Sequence, residues 1–301
     1  MADEVAHSGF AALVGRPNAG KSTLVNALVG SKVAIVSDKP QTTRHRLRAV
    51  LDRDDAQIVF VDTPGLHKPI DALGEELNRS ALLALEDVDV VCMLVDASQP
   101  VGRGDQWVAA HVERSPAAKV LALTKVDLVD ELEMERQLEE AMNLTAFNAV
   151  VNVSAVDAFN LDGFADAVAE LLPPGPRYFP RDMPTDQPVE VMIAEFVREK
   201  VLLHTFEEIP HAVGVAVEDL SFNRKTDTTA IYAVVYVERD SQKGIVVGKG
   251  GSMIKRVGEE ARVDLERLLG SKVWLDLNVK VKKDWRRDAA QIRRFGYGEG
   301  L

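Results

Sequence analysis

Residues 15–22 read Gly15-Arg16-Pro17-Asn18-Ala19-Gly20-Lys21-Ser22, with the apolar run Phe10–Gly15 leading into them and a helical pattern following. The spacing G-x-x-x-x-G-K-[ST] between a strand and a helix describes a loop whose backbone N–H groups curl round phosphates. The helix N-terminus behind such a loop favours anions. Lys21 would supply a cation to the outer phosphates and Ser22 a hydroxyl ligand to Mg²⁺, with Thr23 alongside. With glycine at about 7% of residues, chance gives this pattern in roughly one chain in a hundred of this length. Its strand–helix context makes an ordinary turn less plausible still.

Working outward, short apolar runs alternate with helical patterns. Gln57–Asp62, Val88–Asp96, Lys119–Thr124 and Ala149–Ser154 read as further strands, apolar on both faces as in a helix-covered sheet. Candidate helices lie near 21–30, 73–86, 104–114, 131–144 and 162–171. Leu47–Asp52 predicts an added hairpin strand, with Arg53-Asp54-Asp55 as its turn. The order is that of an α/β domain with a mostly parallel, doubly wound sheet. Six of the chain's 13 prolines fall between residues 173 and 188. That density forbids a helix or central strand and predicts a stiff connector. Two domains are therefore expected, residues 1–172 and 189–301, with 173–188 as the linker.

A phosphate loop does not name the base. Thr124-Lys125-Val126-Asp127, at the end of an apolar strand, does. A carboxylate at Asp127 can accept from both N1–H and the exocyclic amine of guanine, and adenine has no such donor pair. A site built on buried acceptors rejects the wrong partner by ~10⁴ or more. Lys125 can lay its alkyl stem along the base plane. Ser154-Ala155 closes the next strand, where a backbone N–H can reach guanine O6. Asp62-Thr63-Pro64-Gly65 closes another, with Asp62 directed to Mg²⁺ and the Gly65 N–H to a γ-phosphate. Gln41-Thr42-Thr43-Arg44 lies where a switch segment would add a Thr hydroxyl to Mg²⁺, and Thr43 is favoured over Thr42. Lys21, Thr43, Asp62 and Gly65 are thus the candidate catalytic set, and Ser22, Thr43 and Asp62 the candidate metal set. Leu66 follows where a water-orienting side chain would stand, which predicts slow intrinsic hydrolysis. Asn18 raises the further expectation of a K⁺ ion at the phosphates.

The second half has another rhythm: a helix at 189–204, strands His211–Leu220 and Thr229–Arg239, a short helix at 241–248 and an amphipathic helix carrying Ile254, Val257, Ala261, Leu265 and Leu268. A final strand alternates Val273, Leu275, Leu277, Val279 and Val281 with polar residues. The order is αββααβ. Gly248-Lys249-Gly250-Gly251 falls between the two helices as a GxxG, a loop that lets phosphates approach closely. Net charge is −11, but residues 1–180 carry 16 Lys+Arg against 27 Asp+Glu, whereas residues 181–301 carry 20 against 20. Basic clusters occupy 239–256 and 280–294, and local clustering rather than net charge sets a nucleic-acid footprint. Lys249, Lys255, Arg256, Lys280 and Lys282 join Gly248, Gly250 and Gly251 as candidate RNA contacts. Trp285 reads as a core lid, and residues beyond it as a basic C-terminal tail.

Together GRPNAGKS, QTTRHR, DTPGLH, TKVD and the GxxG half resemble the Era family of bacterial GTPases over nearly the whole chain. The resemblance implies a Ras-like GTPase domain followed by a type II KH domain. It implies GTP and GDP as ligands with Mg²⁺, binding to the 3′ region of 16S ribosomal RNA, and a role in 30S subunit assembly. It also implies peripheral membrane association. One departure is Thr124, where most relatives carry Asn and this chain keeps a single hydroxyl.

Composition is that of a soluble globular protein, 46% apolar and 28% charged. One cysteine, Cys92, excludes a disulfide framework and reads as a core residue. The first ten residues carry neither a basic nor an apolar signal region, so a cytoplasmic location is expected, and a monomer is expected separately. The leading reading is an RNA-binding GTPase. The alternative is a KH module whose GTPase domain binds but barely hydrolyses nucleotide. A small-molecule kinase fits less well, because Asp127 selects guanine and no phosphoacceptor site is evident.

Overall fold

The computed structural model describes residues 4–5, 7–69 and 71–297. In chain order the first half comprises β1 (Glu4–Val5), β2 (His7–Gly15), α1 (Lys21–Val29), β3 (Leu47–Asp52), β4 (Ala56–Asp62) and α2 (Ala72–Leu83). It continues with β5 (Val90–Asp96), α3 (Arg103–Arg114), β6 (Ala118–Thr124), α4 (Glu131–Met142), β7 (Ala149–Val153) and α5 (Leu161–Ala169), and the short β8 (Gly175–Pro176) follows in the proline-rich stretch. Six strands form one sheet in the order β3-β4-β2-β5-β6-β7, parallel throughout except β3 against β4. Every residue of β4 and β5 is buried, because helices cover both faces. Leu13, Phe60, Leu94 and Phe164 fill one side, and Val14, Met93, Val108 and Leu121 the other. Cys92 is buried here, and burial pushes its thiol up. The fold fits the doubly wound expectation, with strand and helix ends moved by a few residues.

The second half holds α6 (Val189–Leu203), α7 (Ile209–Ala212), β9 (Gly214–Asn223), β10 (Thr228–Val237), α8 (Asp240–Val247), α9 (Ser252–Leu269), β11 (Lys272–Val281) and α10 (Ala289–Arg294). Its sheet runs β11-β10-β9, with β10 parallel to β11 and antiparallel to β9. Val257, Ala261 and Leu265 of α9 pack on this sheet with Ile193 and Val197 of α6. The strand expected from His211 starts instead at Gly214. Residues 209–212 turn as α7, with Pro210 in its first turn, where a missing N–H costs nothing.

Three features go beyond these expectations. The stiff connector expected at 173–188 is tied along its length to the first half. Its β8 pairs with β1, Thr185 bridges Ala49 on the edge of β3, and Val50 N–H donates to Pro184 O at 2.9 Å. Gln57 further bonds the backbone of Tyr178 and Phe179. Proline cannot continue a ladder, yet its carbonyl still accepts, so the stretch caps a sheet edge.

The C-terminal half, second, has a core of its own and also packs against the first half. The loop 31–46 lies against it: Lys32 pairs with Glu199 at 2.5 Å and Asp264 at 2.7 Å, and Arg44 donates to Val213 O (2.6 Å), Pro210 O (3.1 Å) and His211 O (3.1 Å). Arg198 reaches the other way, donating to Thr42 O and pairing with Glu195 at 2.6 Å. Burial and the Arg198 charge lower Arg44 to about 10, so both guanidiniums stay charged near neutrality. Burial alone would raise Glu195, but Arg198 and His45 outweigh it and hold the carboxyl well below its usual range.

Third, the basic tail is folded as far as it is described. Trp285, Ile292, Phe295 and Tyr297 form a cluster with Val234 and Tyr236 of β10 and with Leu73 and Leu77 of α2. Trp285 Nε1 donates to Ala212 O at 2.9 Å, and its ring meets Phe295 edge-on at 4.9 Å. The lysines and arginines of this segment sit on its outer side, with Arg286 bridging Asp71 (3.3 Å) and Glu238 (2.8 Å). Removing the indole should leave a large cavity where the domains meet. Trp285→Ala is therefore expected to destabilise the chain by about 3–5 kcal/mol. A urea midpoint equal to that of the wild type would mean that the terminal segment does not pack.

Candidate functional site

β2 delivers the phosphate loop to the N-terminus of α1, and the loop turns through left-handed backbone at Asn18 (φ 64°) and Gly20 (φ 86°). Lys21 is buried and donates to Gly15 O (3.3 Å) and Arg16 O (3.0 Å), closing the loop on itself. Burial lowers its ammonium to about 8, against the opposing pull of Asp62. An anion in the loop would remove that penalty. Around it opens a cleft of about 230 Å³ lined by Asn18, Lys21, Ser22, Thr43, Gly65 and Lys125, among others.

Three hydroxyl and carboxylate groups from three elements converge on its floor. Ser22 Oγ donates to Asp62 Oδ2 at 2.6 Å and lies 2.7 Å from Thr43 Oγ1, which is 3.5 Å from the same Oδ2. Thr42 does not join them, because its Oγ1 donates to Lys39 O at 2.6 Å. Asp62 is fully buried. Burial pushes its carboxyl above the usual range despite bonds from Ser22, and among the described residues Oδ1 has no partner. A buried orphan oxygen in an all-oxygen cluster with one carboxylate fits Mg²⁺, which takes one or two carboxylates and its remaining ligands from phosphates and water. Ser22, Thr43 and Asp62 are the residues that could hold it.

Gly65 follows where the end of β4 crosses the phosphate loop. A Cβ there would lie 2.7 Å from Pro17 Cα, so only glycine allows the approach. Thr63 is occupied elsewhere, donating to Leu13 O at 2.7 Å. Leu66 turns into the core, and Val126 packs against the same apolar cluster, so neither side chain faces the cleft. Ala19 is buried behind the loop, and Arg16 is tied to Asp105 at 2.8 Å.

At the other end of the cleft, β6 presents Thr124 and then a left-handed turn at Lys125. Asp127 is exposed and carries no hydrogen bond among the described residues, leaving both oxygens available. Lys125 is held at 2.6 Å by Asp96, which also accepts from Ser98 Oγ at 2.6 Å. Sequence reasoning missed Asp96 and the lining residues Ile35 to Asp38, whose positions depend on contacts rather than on a motif. The Ser154 N–H is spent on Phe159 O, which leaves the Ala155 N–H as the donor of that pair. Thr124 Oγ1 lies 2.9 Å from Ala19 O and 3.1 Å from Val95 O, linking phosphate loop to base strand.

In the second half, Gly248 to Gly251 sits between α8 and α9. Gly248 (φ 74°) has no room for a Cβ, which would fall 2.6 Å from Met253 Cβ. Lys249 and Gly250 are exposed at the tip, with Lys255 and Arg256 on the first turns of α9. Beside them a groove of about 310 Å³ runs between α9 and β11, lined by Ile254, Lys255, Arg262, Leu275 and Leu277. The alternation of β11 puts Lys280 on the opposite face from Leu275 and Leu277. Lys282 lies past the strand end, so neither lysine joins the groove.

A family model described as "50S ribosome-binding GTPase" matches residues 10–125, and one described as "KH domain" matches residues 208–286. The structure of a single-residue variant of Aquifex aeolicus Era bound to GDP.AlF4- is similar over 97% of this chain and 100% of that one, at 35% identity and a TM-score of 0.94. A structure of Era in complex with MgGDPNP and nucleotides 1506–1542 of 16S ribosomal RNA is similar over 97% and 99%, again at 35% identity and 0.94.

The bridging hydroxyl gives a direct check on this end of the site. Thr124→Val keeps the shape and removes the one hydroxyl hydrogen that the two carbonyls share. It should weaken guanine-nucleotide binding by about 1 kcal/mol, roughly fivefold. Titration calorimetry with GDP measures this, and an unchanged affinity would deny the hydroxyl its linking role.

Proposed function

The chain belongs to the Era family of GTPases, and from that premise we propose that it binds and hydrolyses GTP, binds 16S ribosomal RNA through its KH domain and assists 30S subunit assembly. The observation that carries the reading is the joining of two sites in one chain. A cleft with Lys21, Ser22, Thr43 and Asp62 at one end and Asp127 at the other fits a guanine nucleotide with Mg²⁺. The second site combines a GxxG tip, a basic flank and an apolar groove, the parts with which a KH module holds single-stranded RNA. The relative crystallised with MgGDPNP and a 16S fragment supports both ligands.

In this reading Mg²⁺ would neutralise charge between the β- and γ-phosphates when bound. Lys21 would give up its loop carbonyls for the phosphates, the Gly65 N–H would cap the γ-phosphate, and Ser22, Thr43 and Asp62 would hold the metal. Asp127 reads N1–H and the exocyclic amine, Ala155 N–H reaches O6, and Lys125, steadied by Asp96, covers the base. With Leu66 in the core, intrinsic turnover belongs near the unassisted scale of ~10⁻⁴–10⁻³ s⁻¹. A K⁺ ion at Asn18 would take the side-chain oxygen, whose amide nitrogen donates to Asp38 O at 2.7 Å. The loop 31–46 lines the nucleotide cleft and packs against the second half, away from the GxxG tip, and in this reading nucleotide state gates RNA binding through that packing at Arg44, Thr42 and Arg198. No described helix is long and apolar enough to cross a membrane. Membrane association would therefore be peripheral.

Nucleotide choice tests the reading. GTP should bind ~10⁴-fold or more tightly than ATP, and Asp127→Asn should weaken GTP while favouring xanthosine triphosphate, whose C2 oxygen can accept from the new amide. Phosphate release from GTP separates a working GTPase from a module that only binds it. Comparable ATP and GTP affinities in the wild type would refute the guanine assignment.

A further inference from the structure

The hydrolysis reading leaves one role unfilled. The side chain after Gly65 is Leu66, 1% exposed and packed in the core, and it cannot orient water. Two residues from different segments meet beside it. Gln41 lines the same cleft as Lys21, Ser22, Thr43 and Gly65. Its Nε2 lies 2.8 Å from His67 Nε2, and His67 Nδ1 lies 3.0 Å from Gly65 O. A carbonyl oxygen can only accept, so Nδ1 carries the proton and donates to Gly65 O. Nε2 is then the acceptor, and the Gln41 amide N–H donates to it. That chain of bonds fixes which way the amide faces. Its nitrogen is spent on His67, and among the described residues Oε1 has no partner.

The backbone at Gln41 is equally particular. It stands at φ 60°, a left-handed conformation that few non-glycine residues adopt. The next residue is held from both sides, because Thr42 Oγ1 donates to Lys39 O and Arg198 donates to Thr42 O. Strain of this kind persists where surrounding contacts over-determine it, and it concentrates at functional sites.

We propose that Gln41 orients the attacking water and that His67 is the positioning residue that holds the Gln41 amide; this rests on the hydrolysis reading above. In the step, the water oxygen bonds the γ-phosphorus as the bond from phosphorus to the β–γ bridging oxygen breaks. The electron pair of that bond leaves on GDP. One water hydrogen stays on the new oxygen and the other passes to a phosphate oxygen, so the product leaves as dihydrogen phosphate. Gln41 Oε1 accepts a hydrogen bond from the water and aims its lone pair, and takes no proton itself.

Gln41→Gly is the clean test, because glycine accepts φ 60° without strain and the loop keeps its path. Single-turnover hydrolysis should fall by up to about 10²-fold, with GTP and GDP affinities changed by less than about threefold. Binding of GDP with aluminium fluoride, which mimics the transferring phosphoryl group, should fall along with the rate, an effect that a merely structural role would not separate from GDP binding. His67→Ala should slow the wild type but add nothing in the Gln41→Gly background, since it acts through Gln41. A Gln41→Gly variant that hydrolyses GTP at the wild-type rate overturns this inference alone, as does an equal loss from His67→Ala in both backgrounds. A wild-type chain that binds GTP and releases no phosphate overturns the hydrolysis reading and this inference with it.

Discussion

The guanidinium of Arg198, fully buried between the two halves, donates to the carbonyl of Thr42 while pairing with Glu195 on its own helix. A charge so placed needs a counter-charge, which Glu195 supplies, because an uncompensated one costs several kcal/mol. The loop 31–46 has almost no regular structure of its own, so its path is set by such contacts. On one side Thr43 meets Ser22 and Asp62. On the other Arg198 grips Thr42, and Arg44 spends its donors on the backbone of residues 210–213 under the rings of Trp285 and Tyr297. Three successive residues therefore join the nucleotide cleft to the second half.

That arrangement ties the Ser22–Thr43–Asp62 corner and the KH half together. Drawing Thr43 toward a cation moves a peptide whose carbonyl is fixed to α6. Around the same region Lys32 joins Glu199, Lys200 and Asp264, and Val36 N–H donates to Glu199 at 3.0 Å. The segment after Gly65 is engaged as well, through Asp71 with Arg286 and through Leu73 and Leu77 with the C-terminal cluster. Coupling of this sort is reciprocal: if nucleotide state changes RNA affinity by some factor, RNA changes the relative affinity for the two nucleotides by the same factor.

How much of this the sequence discloses depends on the range of the interaction. The phosphate loop, Asp62, Asp127 and the GxxG are legible because a tight backbone path admits few residue types at fixed spacing. Periodicity discloses the two sheets for a similar local reason. Proline density correctly denies helix to residues 173–188 but says nothing of which sheet edge accepts their neighbours. In the terminal segment, abundant Lys and Arg mask the apolar positions 292, 295 and 297, although Trp285 alone reads as a lid. The partnership of Arg198 with Thr42 spans 156 positions, and no local pattern marks it. Gln41 shows in the sequence only as the first residue of a switch-like run, because its backbone strain and its bond to His67 exist only in three dimensions.

The central claim is that nucleotide state and RNA binding are joined through this loop. The most direct measurement is the affinity of the full chain for single-stranded RNA of the 16S 3′ region, loaded in turn with GDP and with a non-hydrolysable GTP analogue. The account predicts affinities that differ by at least roughly fivefold between the two states. It also predicts that binding is lost in both when Lys249→Asp and Gly250→Asp are combined at the GxxG tip. Equal affinities in the two nucleotide states would contradict it.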